Sequence, residues 1–192
     1  MFSKIKIQSV ILFVAFSLIS SMAFAKGHKR EAMSYFFLKK TDFNLEQSIQ
    51  QLEQENKGKV VSAAVKMEDE TPFFELKRIE NGTVMEVLLD PKTKKVVETS
   101  KDGIFSRYSD EEDRTAALNA KVSLLSAMEI AKKQYDGLIV SAQFSNKGEL
   151  NCYRIQMVTN QGGYTILVDT DSGDTFKDAR HDKKGHDKSK KH

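Results

Sequence analysis

The chain has 192 residues, with 30 Lys and Arg, 27 Asp and Glu, a net charge of +3 and one cysteine. The charge is unevenly placed: residues 1–25 carry +2, residues 180–192 carry +4, and the body between them is left at −3. An acidic body excludes the basic face of a nucleic-acid-binding domain, and the lone Cys152 excludes an internal disulfide.

Residues 1–25 have the three-part plan of a secretory signal peptide. Lys4 and Lys6 precede an apolar run from Ser9 to Ser20, and Ala23-Phe24-Ala25 ends it as an A-x-A cleavage signal. The run is shorter than the roughly 20 apolar residues of a spanning helix. Cleavage after Ala25 therefore leaves no stable membrane anchor. Residue 26 is Lys rather than Cys, so a lipid anchor is not supported. The expected location is exported, either periplasmic or secreted. Residues 26–41 form an N-terminal segment in which Met33, Phe36, Phe37 and Leu38 supply one helical turn of apolar contact.

A first unit spans residues 42–100. Asn44 with Gln47 three positions on makes a capping box, and Leu45, Ile49 and Leu52 share one helix face. Gly58 is placed as the left-handed residue that closes a helix of about 13 residues. Three strands follow. Val61, Ala63, Val65 and Met67 alternate, then Phe74 and Leu76, then Met85, Val87 and Leu89. A turn over Glu68–Pro72 separates the first two, and the strand after it is expected from Phe73. Asn81-Gly82 joins the last two, because both positions of a type I′ turn need positive φ. Asp90-Pro91-Lys92-Thr93 turns again toward a short edge strand at Val96-Val97.

Residues 101–120 read as a polar linker, with the option of a short helix through Ala116, Ala117 and Leu118. Residues 121–179 then repeat the first unit at an offset of 79. Leu45 falls on Leu124, Gly58 on Gly137, Val61-Ser62-Ala63 on Val140-Ser141-Ala142, Asn81 on Asn160 and Asp90 on Asp169, with no gap. Ser123 caps the second helix, whose apolar face is Leu124, Met128, Ala131 and Tyr135. Strands are expected through Val140, Ala142 and Phe144, through Tyr153, Ile155 and Met157, and through Tyr164, Ile166 and Val168. Residues 180–192 contain nothing that could enter a core and read as a disordered basic His/Lys-rich tail. The fold class is therefore α+β: two tandem units, each one helix packed on a small antiparallel β-sheet.

Gly58-Lys-Val-Val, Phe74-Glu-Leu-Lys-Arg-Ile and Val87-Leu-Leu-Asp90-Pro-Lys-Thr93 carry a resemblance, and so do Gly137-Leu-Ile-Val, Tyr153-Arg-Ile-Gln-Met-Val and Ile166-Leu-Val-Asp169-Thr-Asp-Ser-Gly173. Both copies resemble the PepSY domain, although Lys94 stands in the first where the turn glycine is usual. The resemblance implies exported or membrane-facing proteins with a helix on an antiparallel sheet. It also implies a relation to propeptides of thermolysin-type peptidases, which chaperone and inhibit. It transfers no catalytic residues.

The chain itself offers none. His28, His181, His186 and His192 lie outside both units. Ser109, Ser123 and Cys152 therefore have no histidine base within a unit. Carboxylates such as Glu53, Glu70, Glu86 and Glu149 are no more frequent than a 30% charged chain provides. No catalytic, metal or cofactor residue is assigned. The expected function is protein binding, with a peptidase or an envelope sensor as partner. The alternative is metal or ligand binding through His181, His186 and His192, with Asp182 and Asp187, or between the two units.

Overall fold

The computed structural model describes residues 32–103, 108, 110–147 and 150–178. The expected signal peptide and the basic tail lie outside the described residues. Residues 32–40 form α1, followed by α2 (Leu45–Gln54), β1 (Lys59–Glu68), β2 (Thr71–Glu80), β3 (Thr83–Asp90) and β4 (Lys95–Lys101). Then come α3 (Glu111–Asn119), α4 (Leu124–Gln134), β5 (Leu138–Lys147), β6 (Leu150–Thr159), β7 (Gly162–Asp169) and β8 (Thr175–Lys177). The class is α+β, as the periodicities predict.

Local signals fix most of these elements. Asn44 and Gln47 form the reciprocal capping box, each accepting from the other's backbone N–H at 2.9 Å. Ser123 Oγ caps α4 by accepting from Ser126 N. Leu45, Ile49 and Leu52 are buried, and so are their counterparts Leu124, Met128 and Ala131. Each buried leucine or isoleucine on this stripe is worth about 1.5–3 kcal/mol, which α2 needs because ten residues cannot hold a helix alone. At Asn81-Gly82 both φ angles are positive, 49° and 76°, as the type I′ turn requires.

Three local expectations are corrected. α2 ends at Gln54, and the left-handed residue after it is Asn56, not Gly58. Gly58 has a different job: a Cβ there would stand 2.1 Å from Ile79 O, so only glycine lets the backbones pass. Gly137 plays the same part against Val158 O at 3.0 Å. The first β-turn is only Asp69–Glu70, both at positive φ, so β2 begins at Thr71 and includes Pro72. Finally, the pairing shifts between Val60 and Ser62 and again between Ile139 and Ser141. These bulges break the simple alternation at Val61 and Val140.

The two bulges are also where the copies meet. All eight strands form one sheet, ordered β4-β3-β2-β1-β5-β6-β7-β8, so the two small sheets expected from the repeat are joined edge to edge. At the seam Ala63 pairs with Ala142, its own counterpart. Ser62 pairs with Gln143 and Ala64 with Ser141, which is the same pair exchanged by the 79-residue offset. This self-complementary register defines a local twofold through Ala63–Ala142, the intrachain equivalent of an isologous dimer contact. The repeated Val-Ser-Ala is the bulge-and-seam sequence itself.

The seam pairs only three residues per strand, and other contacts reinforce it. Helices α2 and α4 touch one another, and α4 also reaches β1. Lys132 Nζ meets Glu46 Oε1 at 2.8 Å across the helices. Where the bulge turns β1 away, Tyr108 Oη donates to Val61 O or to Phe144 O, at 3.2 and 3.0 Å. Its single proton thus serves both strands of the seam. Lys59 Nζ donates to Leu118 O and Ala120 O at the end of α3, tying the second copy's first helix to the first copy's first strand. The offset of 79 carries α1 onto α3, so each sheet half is preceded by two helices. The option of a helix through Ala116–Leu118 is thereby realised. In α1, Phe37 packs on Phe74 at 5.9 Å between centroids, while Phe36 stays exposed.

Two outcomes follow from this packing. Gly58→Ala is expected to destabilise by about 2–4 kcal/mol and Gly137→Ala by clearly less, the order set by 2.1 against 3.0 Å, in urea unfolding. Tyr108→Phe leaves two buried carbonyls without the hydroxyl and should cost about 1–3 kcal/mol in the same assay.

Candidate binding edge

Because the seam consumes the inner edges, the sheet ends in β4 on one side and β8 on the other. β8 has three residues. β4 has seven, Lys95-Val-Val-Glu-Thr-Ser-Lys101, and every one is exposed. It pairs with β3 from Asp90↔Lys95 to Met85↔Lys101, with a bulge opposite Leu88–Leu89 that leaves Val97 without a register partner. Its other side carries backbone groups that no strand among the described residues takes up. Such an edge is a template for another strand, tempered here by the bulge and the terminal lysines. Val96 and Val97 are exposed beta-branched residues on this edge.

The turn that presents β4 is built by Asp90. Its carboxylate accepts from Lys92 N at 2.8 Å and from Thr93 Oγ1 at 3.0 Å, and Asp90 O accepts from Lys94 N. These bonds to the charged form hold its pKa below the usual carboxylate value, led by the Lys92 amide. Asp169 does the same in the second copy, led by the Ser172 amide.

Across the face away from α2, the side chains alternate out of phase with Phe74 and Leu76 and form an ion-pair network. Lys66 Nζ reaches Glu75 at 2.9 Å, Glu68 at 3.2 Å and Glu86 at 3.7 Å. Its pKa is raised, first by the hydrogen bond to Glu75. Lys77 Nζ lies 2.9 Å from Asp102 and 3.6 Å from Glu86. Two lysines thus serve four carboxylates, and this face is a solvated cover, each exposed pair contributing about 0–1 kcal/mol.

The side chains weighed for chemistry are dispersed. Ser123 caps a helix, and Cys152 is buried in β6. Glu53 and Lys59 are both perturbed mainly by burial, Glu53 raised and Lys59 lowered. The Lys59 ammonium is already bound to two carbonyls at the end of α3, so the pair is a brace. Ser109, Glu149 and all four histidines lie outside the described residues. Among the described residues no three His, Cys, Asp or Glu side chains gather as a metal site, and no helix is long and apolar enough to cross a membrane.

Comparison with protein families matches the chain twice to PepSY, the "Peptidase propeptide and YPEB domain", over residues 44–99 and 121–178. These stretches cover more than half of the chain, and the chain belongs to this family. The family is a non-catalytic, propeptide-type domain. No curated protein matches the chain. Among solved structures it is similar to a "putative lipoprotein" from Clostridium difficile 630, at 19% identity and a TM-score of 0.43, covering 72% of this chain and 97% of that one. A likeness at that score carries no argument.

Asp90 gives this edge a pH signature. A carboxylate held below its ordinary value of about 3.9 stabilises the fold above that pH, and the contribution is lost as pH falls through the folded-state value. Asp90→Asn should therefore lower the unfolding midpoint at pH 7 and converge with wild type near pH 2, read by circular dichroism.

Proposed function

We propose, on the premise that the chain belongs to the PepSY family, that it is an exported, non-catalytic protein-binding module that regulates a peptidase or an envelope sensor. The observation that carries this reading is β4, a seven-residue exposed edge strand beside a sheet whose inner edges are already used. A partner's extended segment adds to such an edge through main-chain hydrogen bonds, with no chemistry from the binder. Inhibition by this route occupies the peptidase's own strand-binding cleft. The family description, which names a peptidase propeptide, supports a peptidase as the partner. The signal-peptide pattern of residues 1–25 supports export.

Metal binding through His181, His186 and His192 is not taken further, since those residues lie outside the described structure. Binding between the two units would fall to a cavity of about 300 Å³ between α1 and the β6–β7 turn, which carries no charged lining residue and is not taken further.

The test is titration of the purified chain into a thermolysin-type peptidase turning over a fluorogenic peptide. Inhibition is expected. Val97→Lys, an exposed position where a cation disfavours strand addition, should weaken it by about tenfold without changing the unfolding midpoint. Absence of inhibition, together with no retention of the peptidase on immobilised chain, overturns the peptidase reading.

A further inference from the structure

Beside the start of β4 the first copy opens a cavity of about 400 Å³ between the end of α1 and the β3–β4 turn. Phe37 and Phe43 line it, their rings 5.9 and 6.0 Å from Phe74 beneath. Lys40, Lys92 and Lys94 stand around it against one acid, Asp42. Lys94 Nζ lies 5.6 Å from the centre of the Phe43 ring. The turn is pinned to α2, since Gln51 Nε2 donates to Lys94 O at 3.1 Å.

The second copy is an internal control. The offset of 79 carries Lys40, Lys92 and Lys94 onto Asn119, Asp171 and Gly173, and Asp42 onto Lys121. There the single cation and single anion pair, Lys121 Nζ to Asp171 Oδ1 at 3.3 Å. Val122 N donates to Thr170 O at 2.9 Å and draws the two segments together. In the first copy the counterpart amide, Phe43 N, turns instead to Thr41 Oγ1 at 3.3 Å. The same turn is thus built in the second copy with Asp171 and Gly173 where the first has Lys92 and Lys94. Lys94 even holds φ at 59°, where the second copy uses glycine at 77°. A side chain at that angle costs the fold about 1–2 kcal/mol. The cations are not required by the architecture.

We propose that this cavity receives an acidic side chain, flanked by an apolar one, from the extended segment that pairs with β4. The inference rests on the edge reading above and narrows its partner to a strand that sets an acidic residue beside an apolar one. Three ammonium groups against the carboxylate of Asp42 at the cavity and that of Asp90 in the turn still leave an excess of positive charge that favours an incoming carboxylate, and the aromatic floor covers its apolar neighbour. The charges are exposed, so the preference is salt-sensitive.

The experiment uses the purified chain and two fluorescein-labelled hexapeptides, Glu-Phe-Glu-Val-Thr-Val and Lys-Phe-Lys-Val-Thr-Val, read by fluorescence anisotropy at low and high salt. The acidic peptide should bind about tenfold more tightly at low salt. Lys92→Glu with Lys94→Glu should abolish that preference, and Lys121→Glu in the second copy should not. Lys94→Gly guards against misfolding: it relieves the left-handed strain, so it should fold at least as stably and still lose affinity for the acidic peptide. Equal binding of the two peptides, or a preference that survives the double reversal, overturns the proposal. Binding that ignores peptide charge but is lost in Val97→Lys overturns the cavity while leaving the edge reading in place. Failure of wild type to bind either peptide overturns the cavity as well, and the peptidase titration then decides the edge separately.

Discussion

The structure depends on the three-residue seam between β1 and β5. Two half-sheets of four strands each are small, and a unit of that size buries too little surface to be secure alone. Joining them edge to edge removes two exposed edges and lets both helices cover one continuous core. Ala63 and Ala142 are fully buried at the centre of the seam, where the pairing is symmetric. The bulges at Val61 and Val140 limit the ladder, so the junction leans on side chains that bridge it. Tyr108, Lys59 and the Glu46–Lys132 pair each bridge the two copies or the helices above them.

Within this frame the copies have diverged where symmetry does not constrain them. Arg78 is buried at the position that Met157 fills in the second copy, and it is matched by Glu55 at 2.9 Å and Glu80 at 3.2 Å. A buried ion pair of this kind offsets its own desolvation and adds little beyond that. Phe74 is replaced by Tyr153, whose hydroxyl donates to Val122 O. That bond belongs to the closed turn of the second copy, whereas the aromatic stack in the first leaves its turn open. The seam and the helix stripes are shared; the outer turns and edges are not.

Function follows the same division. The solvated ion-pair face and the buried core present neither an open strand edge nor a cavity. The outer edge of the first copy offers backbone groups, exposed valines and a cationic cavity in one place. Strand addition by a partner requires no more than this.

Much of this protein was legible in the sequence. The 79-residue offset, the capping box at Asn44, the Ser123 cap, the Asn81-Gly82 turn, the apolar stripes and the edge strand at Val96-Val97 were legible from sequence pattern alone. The purpose of Gly58 was not legible, because its constraint is Ile79 O, twenty-one residues away, and a glycine near a helix end looks like a cap. The pairing of β1 with β5 was not legible either. An alternating strand has the same pattern whether its edge faces solvent or another strand, since side-chain alternation reports burial above and below the sheet and says nothing of backbone partners within it. The sequence determined two copies of a helix-and-meander unit with no histidine in either. Only the tertiary structure decided that they share one sheet, and therefore which edge and which cavity remain open to a partner.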